Sequence, residues 1–437
     1  MKVATKDLQW KKGMCVRVTV TKQTGKEIPG AGTTSTIVFP RHIILESISN
    51  YGGGNGGLWG LNYFDGSKRK CVYISSKKTF TIEDNEELIE KYKNEQATAD
   101  FANNLRHSCN IGADPEMFAE DEAGNVIPAF TFLGSKADSN VFANSQRVYW
   151  DGFQAEFNTT AGTCLDGQVG NYFQGLQAIL TAALKINPKA RLSSKTVVEV
   201  SAELLEKSEE RFVQFGCSPS LNAYGLEGLG TDGRTVPFRP AGGHMHFGIG
   251  THTEKQAVPI VKALDAVVGV ACVSMFAKFD DPRRRSLYGL AGEFRLPHHG
   301  LEYRTLSNAW LFHPLIAYMS FDLARKAMML GKNNLLHLWK AEEKETIDTI
   351  QNCDVKQARI ILERNKALMI RILEAIRGGY ENHGLTAFNA WMAGMENVVV
   401  DPTNIAGNWQ LSGYSTGKAT PRFYESRATM AAGKKVA

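Results

Sequence analysis

From about residue 8 to 82, short apolar and β-branched runs (CVRVTV, STIVF, HIILESI, LWGLNYF, CVYISS, TFTI) are separated by Gly, Lys and Asn clusters. Runs of that length between turn-forming residues predict a small all-β domain over residues 1–84. The tract from Gly52 to Gly57, interrupted by Asn55, has the composition of a hairpin tip. No lysine and helix follow it, so it is not read as a phosphate loop. Residues 85–107 then change character. EDNEELIEKYKNEQ carries charge on most faces and predicts a helical connector from about Asn85 to Asn104.

From about 108 to 315 strand-like runs alternate with helices. Beyond Asp166, the residues Val169, Phe173, Leu176, Leu180 and Leu184 recur at helical spacing until Pro188 stops them. A second helix is expected from about Glu203 to Phe215, and a third, apolar throughout and therefore buried, from about Thr253 to Lys278. Such helices would cover one face of a sheet. After residue 308 the pattern is helical, first over Pro314 to Gly331. A further helix is capped by Asp354, turns Ile361, Leu362, Leu368, Ile372 and Ile376 inward, and ends at Gly378. The main domain is placed at 108–397, and 398–437, rich in Gly, Ser, Thr and Lys, is expected to be an extended tail.

Four segments in the centre concentrate polar groups on one face. In IGADPEMF, Asp114 and Glu116 lie two apart and share a face of an extended segment, while Pro115 between them suits an edge, a strand end or an ordinary turn. In WDGFQAEFNTTAG, Gln154, Glu156 and Asn158 alternate with Phe153, Ala155 and Phe157. In RPAGGHMHFGIG, His244 and His246 share a face with Gly248, and the flanking glycines permit close approach by a ligand or another backbone. In RRRSLYGLAGEFRLPHHGLEYRTLS, Glu302 and Arg304 form a third i, i+2 pair, with Arg295 nearby. Guanidinium groups match phosphate oxygens, and arginines facing metal-binding carboxylates suit phosphoryl transfer. An oxygen-rich ligand set with one or two imidazoles favours magnesium or manganese over structural zinc. So many like charges on one sheet face need cations, which makes metal-bound polyphosphate the economical reading.

Composition changes this picture little. The chain has 437 residues, 43% apolar and 22% charged, with 50 basic against 45 acidic side chains for a net charge of +5. That charge is too mild and dispersed to indicate nucleic-acid binding, and the dense run Arg283, Arg284 and Arg285 reads as solvated surface. Seven scattered cysteines without a CxxC spacing argue for reduced thiols. The N-terminal residues lack an apolar signal core and no run of about 18 uncharged apolar residues appears, so a cytoplasmic protein without membrane partners is expected.

The four segments GADPE (112–116), DGFQAEFN (151–158), GGHMHFG (242–248) and RRRSLYGLAGEFR through GLEYRTLS to 307 resemble, in order and approximate spacing, the phage carboxylate-amine (COOH-NH2) ligase family. That family is a branch of the glutamine synthetase and glutamate-cysteine ligase superfamily, and the resemblance covers residues 109–330. It implies an α+β fold with a glutamine-synthetase-like core, a mostly antiparallel sheet covered by helices. It also implies a phage-encoded enzyme, acting in the host cytoplasm, that uses ATP and Mg2+ or Mn2+ to form an amide bond through an acyl phosphate. Asp114, Glu116, Glu156, His246 and Glu302 would hold metal, Arg295 and Arg304 would meet the transferring phosphoryl group, and His244, Lys136 and Arg285 would contact the nucleotide. Asp114 stands where Glu is more usual, and Ser218 and Ser220 stand where acidic residues are expected. The partners implied are a small-molecule or peptide carboxylate and an amine; homo-oligomerisation and virion association stay open. Two rival readings are a non-catalytic virion or scaffold protein that keeps the fold, and a metal-dependent hydrolase built on His244 and His246.

Overall fold

In the computed structural model the chain divides into two units, Met1–Arg106 and His107–Ala437. The structure describes residues 110–143, 146–163, 165–214, 220–227, 232–250, 252–276, 279–374 and 404–411, together with the N-terminal strands named next and Glu86, Glu87 and Glu90. In the N-terminal unit, Lys2–Ala4, Thr79–Ile82, Cys15–Val18 and Arg41–Ile44 form one antiparallel sheet, and Ser47–Asn50, Leu58–Phe64 and Arg69–Ser75 form another. Glu86, Glu87 and Glu90 are helical. The glycine tract and the rest of the connector expected there lie outside the described residues.

The second unit mixes helices with antiparallel sheets. Its largest sheet contains β1 (Asn110–Met117), β2 (Asn140–Ala143), β3 (Gln146–Asp151), β4 (Gln154–Phe157), β5 (Leu221–Asn222), β6 (Gly243–Gly248), β7 (Glu293–Arg295) and β8 (Leu301–Tyr303). The strands lie in the order β2-β3-β4-β1-β6-β8-β7-β5, and every pairing is antiparallel. Alternation divides the sheet chemically. Ile111, Ala113, Met117, Ala155, Phe157, Met245, Phe247, Leu301 and Tyr303 are buried, whereas Asp114, Glu116, Glu156, His244, His246 and Glu302 sit at the intervening positions. Full burial of a large apolar side chain contributes about 1.5–3 kcal/mol, so the apolar rows fix the register that aligns the polar ones.

Helices complete the core: α1 (Leu165–Ile186), the short α2 (Ala202–Lys207) and α3 (Glu210–Val213), α4 (Glu254–Leu264), α5 (Val270–Phe276), α6 (Pro314–Lys332), α7 (Glu343–Gln351), α8 (Val355–Arg364) and α9 (Lys366–Glu374). The periodicity located α1 and α6 well, and the Asp354 side chain caps α8 by accepting from Gln357 N. Four expectations change. The single helix expected from Asp354 to Gly378 is interrupted at Asn365 between α8 and α9; Ile361 and Leu362 are buried, Leu368 is half-buried, and residues 375–378 lie outside the described residues. The helix expected over 203–215 breaks into α2 and α3 because Ser208 is extended, with its hydroxyl turned back to Leu204 O at 2.6 Å. The apolar helix over 253–278 is mostly buried as expected, but it widens into a π turn at Asp265–Gly269 between α4 and α5. In the tail region Ile405–Asn408 form a docked helical turn. Trp409 is fully buried there and donates its indole N–H to Leu311 O at 2.5 Å.

Pro115 lies in a central strand, not at an edge or strand end. Its neighbour Ala113 donates to Thr159 Oγ1 instead of to a strand partner, and Glu116 donates to Gly242 O. The missing proline N–H therefore falls on the side where the pairing between β1 and β4 has already lapsed.

Candidate active site

Registration across the sheet brings the distant segments together. His244 lies opposite Asp114, His246 opposite Glu302 and Gly112, Glu302 opposite Arg295, and Glu156 opposite both Glu116 and Tyr149. Two groups of ligand atoms result. Those of Asp114, His246 and Glu302 lie within 4.8 Å of one another, and so do those of Glu116, Asp151 and Glu156. Both border a cleft of about 490 Å³ whose lining includes Lys136, Trp150, Phe212, Arg295 and Arg304.

Glu116 and Glu156 face each other directly, an arrangement that destabilises a sheet when both are ionised. Burial, then the Asp151 carboxylate, pushes Glu116 up to about 7, although Gly242 N (2.6 Å) and Tyr288 OH (2.7 Å) both donate to its Oε2. Burial, then Asp114, Asp151 and Glu116, drives Glu156 well above the usual carboxylate range, and it accepts from Tyr149 OH at 2.5 Å. Burial raises Asp151 as well.

At the other group, His246 Nε2 stands 2.8 Å from Asp114 Oδ1 without the alignment of a hydrogen bond, and its Nδ1 meets His299 Nε2 at 2.9 Å. Burial works against the protonated form of His246, but Asp114 outweighs it and the pKa is raised. His244, 3.8 Å from Asp114 and 3.7 Å from Glu302, is held well below the usual imidazole range by burial and then by Arg304. It is a neutral imidazole with its Nε2 unpartnered among the described residues.

Arg304 lies beside Glu302 (2.5 Å) and Glu293 (3.3 Å), and Arg295 Nη1 is 3.7 Å from Glu302. Behind Arg304, the guanidinium of Arg284 is fully buried and donates to the carbonyls of Arg304, Thr305 and Leu306. It fits there because Gly289 adopts φ +81° and has no side chain to fill that space.

The structure thus brings Asp114, Glu116, Glu156, His244, His246, Glu302, Arg295 and Arg304 together. Lys136 is mostly exposed at the rim, 4.0 Å from Glu156 and over the Tyr149 ring. Arg285 does not line the cleft: it is buried against Asp280 at 3.0 Å and donates to Cys353 Sγ. The basic run expected at the surface is largely interior, since Arg284 and Arg285 are buried and only Arg283 is solvated. Ser220 is exposed, and Ser218 lies outside the described residues.

The motif search missed Asp151, Tyr149 and Tyr288. Asp151 ends β3 just before the two-residue hairpin loop Gly152 (φ +62°) and Phe153 and reads as turn chemistry; the signal was its place opposite Gln154, on the strand paired with the one that carries Glu156. The tyrosines carried no signal, because only the fold shows that their hydroxyls reach carboxylates.

The donor set fits divalent cations. The crowded carboxylates of Glu116, Asp151 and Glu156, the neutral imidazole of His244 and an Asp114 Oδ1 that makes no aligned hydrogen bond among the described residues are what hard cations would satisfy.

Residues 230–410 match the family model described as Phage phiEco32-like COOH.NH2 ligase-type 2. The matched span carries His244, His246, Arg295, Glu302 and Arg304, while the acids of β1, β3 and β4 lie upstream of it. No curated protein matches the sequence.

Proposed function

We propose that this chain, whose residues 230–410 match the phage phiEco32-like COOH-NH2 ligase family model, is a member of that family and uses ATP and magnesium to join a carboxylate to an amine. The observation that carries this reading is the convergence of five carboxylates, two histidines and two arginines on one sheet face. The same convergence supports a glutamine-synthetase-like core for the second unit, while the two antiparallel sheets among the described residues of the first support an all-β domain there.

Asp114, His246 and Glu302 would hold one cation and Glu116, Asp151 and Glu156 another. Bound there, the cations would screen the phosphate oxygens of ATP and polarise the phosphorus under attack. A carboxylate oxygen of the acid substrate attacks the γ-phosphorus, the bond to the ADP oxygen breaks, and an acyl phosphate forms. The amine nitrogen then attacks the acyl carbon, loses a proton, and inorganic phosphate departs. Arg295 and Arg304 offset charge developing on the transferred group, with Arg304 held rigid by Glu302, Glu293 and the carbonyl grip of Arg284. Lys136, at the rim, is suited to a nucleotide phosphate entering from solvent. No protein nucleophile takes part.

The test is incubation with ATP, Mg2+ and pools of carboxylic acids, peptides and amines. ADP release that requires both an acid and an amine is expected. Absence of both ATP binding and ADP release with every pool would overturn the reading.

A further inference from the structure

We propose that His299 is a positioning residue, which accepts the Nδ1–H of His246 and so turns the Nε2 lone pair of His246 toward Asp114 and Glu302. This rests on the cation sites of the reading above. A neutral imidazole carries one N–H and one lone pair, and a hydrogen bond at one nitrogen decides which atom can bind a cation. His246 has both nitrogens committed by geometry, Nδ1 at 2.9 Å from His299 Nε2 and Nε2 at 2.8 Å from Asp114 Oδ1. The second contact lacks hydrogen-bond alignment, and Nε2 is buried. At 2.8 Å from Asp114 Oδ1, Nε2 needs a proton or a cation between the two atoms, and His299, by taking the Nδ1–H, leaves Nε2 as the atom that exchanges its proton for a cation.

His299 is itself held in place from its backbone. Its carbonyl accepts from Gly250 N at 3.3 Å, and its ring stacks edge-on with His298, centroids 5.3 Å apart. The side chain is exposed, so its replacement should leave the core intact. The consequence is chemical: a fixed imidazole nitrogen favours manganese-like cations over magnesium at this corner, whereas Glu116, Asp151 and Glu156 offer oxygen alone.

The experiment compares wild type, His299→Leu and His299→Gln for Mn2+ and Mg2+ affinity by titration calorimetry, with 15N NMR of His246 in the Mg2+-loaded protein. His299→Leu should weaken Mn2+ binding by about tenfold or more, affect Mg2+ less, and leave the melting temperature unchanged. His299→Gln should recover most of the affinity, because its amide oxygen reaches the place of Nε2. The wild-type spectrum should show His246 protonated at Nδ1. Unchanged Mn2+ affinity in His299→Leu, or a proton on Nε2, overturns the role of His299 alone. Failure of the wild type to bind either cation overturns the cation sites and this inference together.

Discussion

Replacing Glu116 with glutamine removes the charge that Glu156 and Asp151 oppose while keeping an oxygen for Gly242 N and Tyr288 OH. The carboxyl of Glu116 is lifted from 4.5 to about 7, chiefly by burial. Because the folded state binds the proton more tightly than the unfolded chain, this group favours folding fully below pH 4.5, and the advantage is lost as the pH rises through 7. That change amounts to about 3 kcal/mol. Without divalent cations, Glu116→Gln should therefore be more stable than wild type at pH 8 by up to about 3 kcal/mol and nearly equal to it at pH 5. Added Mg2+ should reverse the order at pH 8, since cation binding stabilises only the protein that retains the carboxylate. Thermal or urea melts in EDTA and in Mg2+ across pH 5 to 8 measure both effects. A variant less stable than wild type by the same amount at every pH, with or without Mg2+, would refute the reasoning.

Three further outcomes are expected. Arg295→Gln, at a partly exposed site, should lower kcat for ADP formation by about a hundredfold or more while changing ATP affinity little, read from steady-state kinetics and direct binding. Arg285→Gln leaves the buried Asp280 carboxylate without its partner and should cost about 3–5 kcal/mol in denaturant melts, yet leave divalent-cation affinity unchanged in calorimetry. Gly243→Ala would drive a methyl group to 2.3 Å from Ser307 O and 2.2 Å from Trp310 Nε1, and should destabilise by about 3 kcal/mol or more in the same melts.

Much of the site was legible because strand alternation is a local rule. Glu156 among Phe153, Ala155 and Phe157, or His244 and His246 between Met245 and Phe247, declare their face from sequence alone, and the buried rows bear this out. Asp151 was hidden because an Asp-Gly pair is explained equally well by a turn. Arg284 and Arg285 were misread as surface because a charge run gives no hint of the carbonyls and the carboxylate waiting for it in the interior; those come from residues 304–306 and Asp280. Pro115 in a central strand and the break at Ser208 have the same origin. Each depends on where a neighbouring segment stops pairing, which is a property of the assembled sheet or of one side chain turning back on its helix.

The most direct measurement is anomalous diffraction from crystals grown with Mn2+ and a non-hydrolysable ATP analogue. Two peaks are expected, one among Asp114, His246 and Glu302 and one among Glu116, Asp151 and Glu156, with the terminal phosphate directed toward Arg295 and Arg304. Metal and nucleotide found elsewhere, or a cleft that binds neither, would contradict the account.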